Sequence, residues 1–215
     1  MARILTLKGK GVYVAEDEWV IDESARELKK GNLIVFPTET VYGLMAFGDP
    51  QACSHSINLA KERPPETPVA FLVNSCPESE DLLDSLRKKH GEKMEPILAF
   101  KSGLVTLVLP KEMLHGILPK EVILACSEFV GIRTPVFGPT NELISRVGGY
   151  LLASSANITG RKDPSSLEEC KDILSKPQIT LAVDGGVVSG EPSAVILISE
   201  DEVKIVRHHS RIPKK

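Results

Sequence analysis

The chain has 215 residues, 42% of them hydrophobic and 26% charged, with a formal net charge of -3. That length supports one sizeable core and weights one domain over two, and the ordinary composition excludes long disorder. So small a net charge makes no whole-molecule case for nucleic acid, although it leaves room for a local basic surface.

The opening MARILTLKGKGVYV lacks the apolar core of a signal peptide, and no apolar run is long enough to span a membrane. A cytoplasmic, membrane-free protein is expected; an organellar protein trimmed of its targeting peptide would read the same. Asp22 to Lys30 reads as a helix capped by Asp22 and stopped at Gly31. The run NLIVF follows as a buried strand. Asp49-Pro50 opens the next helix, with Asp as cap and Pro in the first turn, and Pro64-Pro65 stops it near Arg63.

PVAFLV is a strand, and a charged amphipathic helix is expected from Ser79 to His90. Its basic end, Arg87-Lys88-Lys89-His90, reads as a solvated helix face. LVTLVL (104–109), EFVGIR (128–133) and YLLAS (150–154) are strands, with a short helix at Asn141 to Val147. Ser165 or Ser166 can cap a helix to about Ser175, and TLAVD, SAVILI and VKIVR close the chain. Alternation early and strands late predict an α/β fold on a mixed sheet. Cys53, Cys76, Cys126 and Cys170 form no C-x-x-C pair and read as reduced, mostly buried thiols. The histidines give no metal spacing, and His208-His209 reads as part of a solvated tail.

Ligands of open α/β sheets bind beyond strand ends, and four polar clusters lie there. Pro37-Thr38-Glu39-Thr40 is either a loop whose hydroxyls satisfy its own amides or a ligand contact. Lys61-Glu62-Arg63 either complements a helix dipole or delivers two cations to an anion. In LLASSANITG, Ser154, Ser155 and Asn157 form a tight turn or a close backbone approach to a ligand. Asp184-Gly185-Gly186 reads by itself as a hairpin-like turn, which accounts less well for Pro192-Ser193. A P-loop, a Rossmann glycine fingerprint and a G-x-S-x-G elbow are all absent from the sequence.

In this order the clusters resemble the YrdC/Sua5 family, L-threonylcarbamoyladenylate synthases of tRNA t6A37 modification, over roughly Asp22 to Arg207. The family's P-T-E/D-T-x-Y-G-L is complete at Pro37 to Leu44, and its K-x-R-P is Lys61, Arg63 and Pro64. Its S-A-N is Ser155-Ala156-Asn157, followed by Gly160, and its D-G-G…P-S is Asp184-Gly185-Gly186 with Pro192-Ser193. Arg133-Thr134-Pro135 matches its R-x-P, and the strand carrying Thr106 fits as well. The chain departs from the pattern at four places. Ser102-Gly103-Leu104 stands for P-G-P, Ala194 for the threonine of S-T-V, and Leu72 for a histidine of some members. Arg207-His208-His209 stands for R-P-G.

The resemblance implies a twisted open mixed sheet with helices packed on it, YrdC/RibB-like, as a single domain over residues 1–215 in the short YrdC-type form. It implies that L-threonine, bicarbonate and ATP give threonylcarbamoyl-AMP and pyrophosphate, with Mg²⁺ on the pyrophosphate side and a t6A transferase complex as downstream acceptor. Phosphoryl chemistry of this kind needs positioning and cations more than a covalent nucleophile. By the resemblance, Lys61 and Arg63 face the phosphates as catalytic cations, and Ser155 and Asn157 hold the nucleotide. Thr38, Thr40, Ser193 and Arg133 take the amino acid or its carbamate, and no residue is assigned to a protein-held metal. The rival reading is a double-stranded RNA or tRNA-binding module on the same fold, whose affinity would fall steeply with salt. A third is the related carbamoyl-adenylate domain of hydrogenase maturation factors.

Overall fold

The structure is a computed structural model that describes residues 2–9, 11–91, 100–199 and 202–212. Its strands are β1 (Arg3–Thr6), β2 (Leu33–Phe36), β3 (Gly43–Ala46), β4 (Ala70–Val73), β5 (Val105–Pro110), β6 (Phe129–Arg133), β7 (Tyr150–Ser155), β8 (Ile179–Asp184), β9 (Ala194–Ile198) and β10 (Val203–Arg207). They form one sheet in the order β1-β8-β2-β3-β7-β4-β6-β5-β9-β10. Four strand pairs are parallel (β1/β8, β2/β8, β4/β6, β5/β9) and the rest antiparallel, so the sheet is mixed as expected. The α-helices are α1 (Glu18–Lys29), α2 (Pro50–Ala60), α3 (Pro77–His90), α4 (Lys120–Ala125), α5 (Gly138–Val147) and α6 (Lys171–Leu174). No helix among the described residues is long and apolar enough to cross a membrane.

The strand period of two divides the core between the faces. In β2, Leu33 and Val35 join the cluster shared with Ile57 of α2 and Leu86 of α3. Ile34 and Phe36 join the opposite cluster with Ile21 and Leu28 of α1 and Leu143 and Ile144 of α5. The second face has only α1 and α5 in its cluster, and they pack over β1, β8, β2, β3, β7 and β4. Toward β6, β5 and β9 that face carries Gly131, Arg133, Thr106, Val108 and Val195, which line a cavity instead of a helix contact.

Several expectations shift. The first helix begins at Glu18, because Val20, Ile21 and Ala25 already belong to its buried stripe; Asp22 lies inside it, ion-paired to Arg146. The 49–50 helix start is as read: Asp49 caps it, accepting from the Ala52 amide at 2.9 Å. The helix expected after Ser165 is a 3-10 turn at Leu167–Cys170 running into the single turn of α6. Neither serine caps it. Glu169 reaches back to the Ser165 amide (2.6 Å) and hydroxyl (2.9 Å) instead. The hairpin reading of Asp184-Gly185-Gly186 is overturned: β8 is second in the sheet and β9 ninth, so residues 185–193 cross the sheet. His209 is fully buried, against the expectation of a solvated tail. The four cysteines are free, Cys53 and Cys170 buried and the other two half-buried.

Candidate active site

A cavity of about 340 Å³ opens on the face that α1 and α5 leave uncovered. Its floor is cut by small residues on neighbouring strands, Gly43, Ala153, Ala70 and Gly131. Leu72, Val108 and Val195 make the rest of the floor apolar. The rim gathers Thr38, Arg63, Ser155, Pro192, Ser193, Thr106, Arg133 and Arg207. All four polar clusters of the sequence therefore reach one cavity.

The Pro37–Tyr42 loop is a chain of committed hydroxyls. Arg133 Nη2 donates to Thr40 Oγ1 (2.7 Å), the two threonine oxygens are 3.0 Å apart, and Thr38 Oγ1 donates to Val41 O (2.7 Å). With the Thr38 proton spent on Val41, the proton between the threonines belongs to Thr40. Thr38 lines the cavity, but its oxygen also accepts from the Thr40 and Val41 amides, both at 3.3 Å, so its bonds are taken up within the loop; Thr40 is fully buried behind it. Tyr42 lies beneath: its hydroxyl donates to Gly186 O (2.7 Å) and accepts from the Gly185 amide (3.0 Å). Gly185 has no room for a side chain, since a Cβ there would stand 2.6 Å from Pro37 Cγ.

The turn that follows α2 separates its two cations. Glu62 takes a left-handed φ of 55°, the Arg63 amide reaches Asn58 O (3.1 Å) and the Glu62 amide Leu59 O (3.2 Å), a Schellman ending. Lys61 is 2% exposed and does not line the cavity. Its ammonium donates to Ser155 O (2.5 Å), Asn157 O (2.7 Å) and Asn157 Oδ1 (2.9 Å), one oxygen per proton. Burial first, then the charge of Arg63, push its pKa down to about 8, against the pull of Asp163. Asn157 is held as well, accepting from Ser155 Oγ (2.7 Å) and donating to Arg161 O (2.6 Å). Arg63 does line the cavity; its Nε is bound to Asn58 Oδ1 (2.6 Å), and its Nη2 is buried without a hydrogen-bond partner.

Arg133, 7% exposed, is neutralised by Glu39, whose Oε1 lies 2.5 Å from its Nη2. Glu39 Oε2 also accepts from the amides of Val136 and Phe137, both at 3.2 Å. Sequence reasoning left the role of Glu39 open; the bonds show it holding Arg133 and the loop after β6. The same reasoning noted Arg207 only as a departure, yet Arg207 lines the cavity and donates from Nε to Ser193 O (2.8 Å). Ser193 Oγ lies 2.8 Å from Thr106 Oγ1. Among the described residues no ion pair joins Arg63 or Arg207 to a carboxylate. The cavity thus offers two guanidiniums outside any ion pair among the described residues, several hydroxyls and an apolar floor, which suits a ligand with anionic and small apolar parts.

Fold and site together define an α/β protein with an arginine-lined cavity of small-ligand size. More particularly, the chain belongs to the Sua5/YciO/YrdC family, whose model, described as telomere recombination, matches residues 26–209. It is 34% identical over 187 residues to the threonylcarbamoyl-AMP synthase of Pyrococcus abyssi, covering 86% of this chain and 52% of that protein. The Bacillus subtilis threonylcarbamoyl-AMP synthase is 29% identical, with 91% and 54% covered. The chain spans about half the length of these two relatives. The structure of P. abyssi Sua5 complexed with L-threonine aligns with a TM-score of 0.71 at 30% identity, covering 96% of this chain and 57% of that one. Escherichia coli YciO shares the fold, with a TM-score of 0.72 at 21% identity and 95% of its chain covered.

Proposed function

We propose that this chain makes threonylcarbamoyl-AMP from L-threonine, bicarbonate and ATP, for tRNA t6A modification. The threonine amine and bicarbonate form the N–C bond of N-carboxy-threonine with loss of water; its carbamate oxygen then attacks the α-phosphorus of ATP, a P–O bond forms, and the α–β bridge breaks to release pyrophosphate. The observation that carries this reading is the pair Arg63 and Arg207, cavity-facing guanidiniums without carboxylate partners. Two such charges stabilise negative charge gathering between the carbamate and the phosphates. Arg63 Nη2, already desolvated and unbonded, gains a partner when a phosphate oxygen arrives.

Thr106 and Ser193 suit the polar groups of the amino acid, with Thr38 shaping the wall beside them, and the apolar floor suits its methyl group. Lys61 holds the Ser155–Asn157 turn against which the nucleotide lies. Mg²⁺ enters with the nucleotide as MgATP. The test is pyrophosphate release from MgATP. It should require both L-threonine and bicarbonate and should fall at least about tenfold in Arg63→Ala. Release that ignores either co-substrate would refute the reading.

A further inference from the structure

The crossover that follows β8 bears Ser193 at the cavity, and β10 ends on Arg207 at the same rim. Outside the cavity a second tie joins these two segments. Glu191 accepts from the Ser210 amide and from the Ser210 hydroxyl, each at 2.5 Å. His209, fully buried, accepts the Arg211 amide on Nδ1 (3.1 Å), which puts its proton on Nε2. That Nε2 has no hydrogen-bond partner, and the Glu191 carboxylate stands 3.7 Å away. Burial lowers the His209 pKa; Glu191 opposes this, while Arg211, His208 and Arg133 add to it, so the neutral ring is favoured.

We propose that Glu191 is a positioning residue: through its two bonds to Ser210, beside the buried His209 ring, it forms a clasp that sets Ser193 and Arg207 against the cavity. Glu191 lies two residues before Ser193, and Ser210 three residues after Arg207. The inner bond, Arg207 Nε to Ser193 O (2.8 Å), spans the same two segments. The two side-chain ties bracket the rim, beside the β9–β10 pairing that sets Arg207 opposite Val195 and the Ser193–Thr106 contact; cutting the outer tie frees the residues just before Ser193 and just after Arg207. None of the three clasp residues lines the cavity, so their effect on a ligand passes through Ser193 and Arg207. The crossover is otherwise fastened by Gly190 N to Thr40 O (2.7 Å) and Val188 N to Ser165 O (2.8 Å), nearer its start.

The inference rests on the proposed function for its kinetic arm, and a ligand-free arm stands beside it. Amide exchange is measured across residues 185–193 in wild type, Glu191→Ala and the milder Ser210→Ala, with α1 as internal reference. The clasp predicts exchange at Gly190 and its neighbours faster by about fivefold or more in Glu191→Ala, with α1 unchanged. Glu191→Gln, which keeps one of the two oxygen acceptors, should recover part of the protection. In the kinetic arm, KM for ATP should rise about five- to tenfold in Glu191→Ala, with kcat within about twofold. Unchanged exchange in the crossover overturns the clasp. If α1 exchange also accelerates in Glu191→Ala, Ser210→Ala decides. A wild type without threonine-dependent turnover sinks the functional reading and leaves the exchange result to judge the clasp. Turnover in wild type with an unaltered KM in a variant of faster exchange overturns the positioning role.

Discussion

Arg207 stands opposite Val195 because β10 carries one residue more than its partner needs. Along the antiparallel pair, Val203 faces Ile198, Lys204 faces Leu197 and Ile205 faces Ile196; the register then slips, and Arg207 faces Val195. Val203 and Ile205 pack against the core on the other side of the sheet. Plain alternation would have sent Arg207 there too. The bulge at Val206, which is 61% exposed, re-aims the guanidinium to the cavity face.

Arg207→Lys should therefore weaken binding of pyrophosphate by about 10- to 100-fold, since it loses the planar fork and its bond to Ser193. The melting temperature should barely move. Calorimetric titration reads the affinity. Equal affinity in the lysine variant would mean that the bulge serves packing and not the ligand.

Arg63→Lys separates a phosphate contact from a structural one. Arg63 spends Nε on Asn58 and leaves Nη2 bare. Losing the Asn58 bond should cost about 1 kcal/mol of stability, whereas losing the fork should cost about tenfold or more in ATP affinity. Stability falling without any loss of affinity would make Arg63 a helix-end residue only.

How far the sequence carried these points depends on the strand pattern. β2 was legible because Leu33 to Phe36 is an unbroken apolar run, all four residues being buried against one face or the other. β3 was not: Gly43 to Ala46 follows Thr38–Tyr42 with no turn signal, and only its pairing with β2 and β7 makes it a strand. β1 and the short α4 were likewise unread. Arg207 sat in an alternating run that pointed it inward, and a bulge has no compositional mark. His209 looked solvated because nothing local announces that Glu191 and the crossover cover it. The four polar clusters were legible as a set, because three lie at strand ends and the fourth, Lys61 to Arg63, closes α2. Their inner bookkeeping was not, since Thr40 and Lys61 turned out to be spent on Arg133 and on the Ser155–Asn157 turn.

Glu39→Gln tests that bookkeeping. Arg133 and Glu39 are a buried pair, with side chains 8% and 15% exposed. Removing the negative partner leaves a buried cation, at a cost of about 3 kcal/mol in chemical denaturation. Replacing both, as Glu39→Gln with Arg133→Met, should recover most of that loss. A cost of less than about 1 kcal/mol for Glu39→Gln alone would show that water already reaches the pair.

Lys61 sets a pH limit. Its pKa, pushed down to about 8 by burial and by Arg63, leaves it charged at neutral pH. As pH rises through that value the amine keeps two protons for three oxygens, and a positive charge near the cavity disappears. Pyrophosphate affinity should then fall with rising pH, with its midpoint near 8, and Lys61→Met should bind weakly throughout without that step. Wild-type affinity that stays flat across this range would contradict the assignment.

Isotope-labelled bicarbonate follows the chemistry of the cavity atom by atom. Wild-type protein incubated with MgATP, L-threonine and labelled bicarbonate should yield an AMP-linked product whose carbamoyl carbon carries the label, seen by mass spectrometry. Arg63→Ala should lose nearly all of it, whereas Ser210→Ala, outside the cavity, should still form it at high ATP. Label absent from any adenylate in the wild type, with ATP bound and the protein folded, would contradict the account.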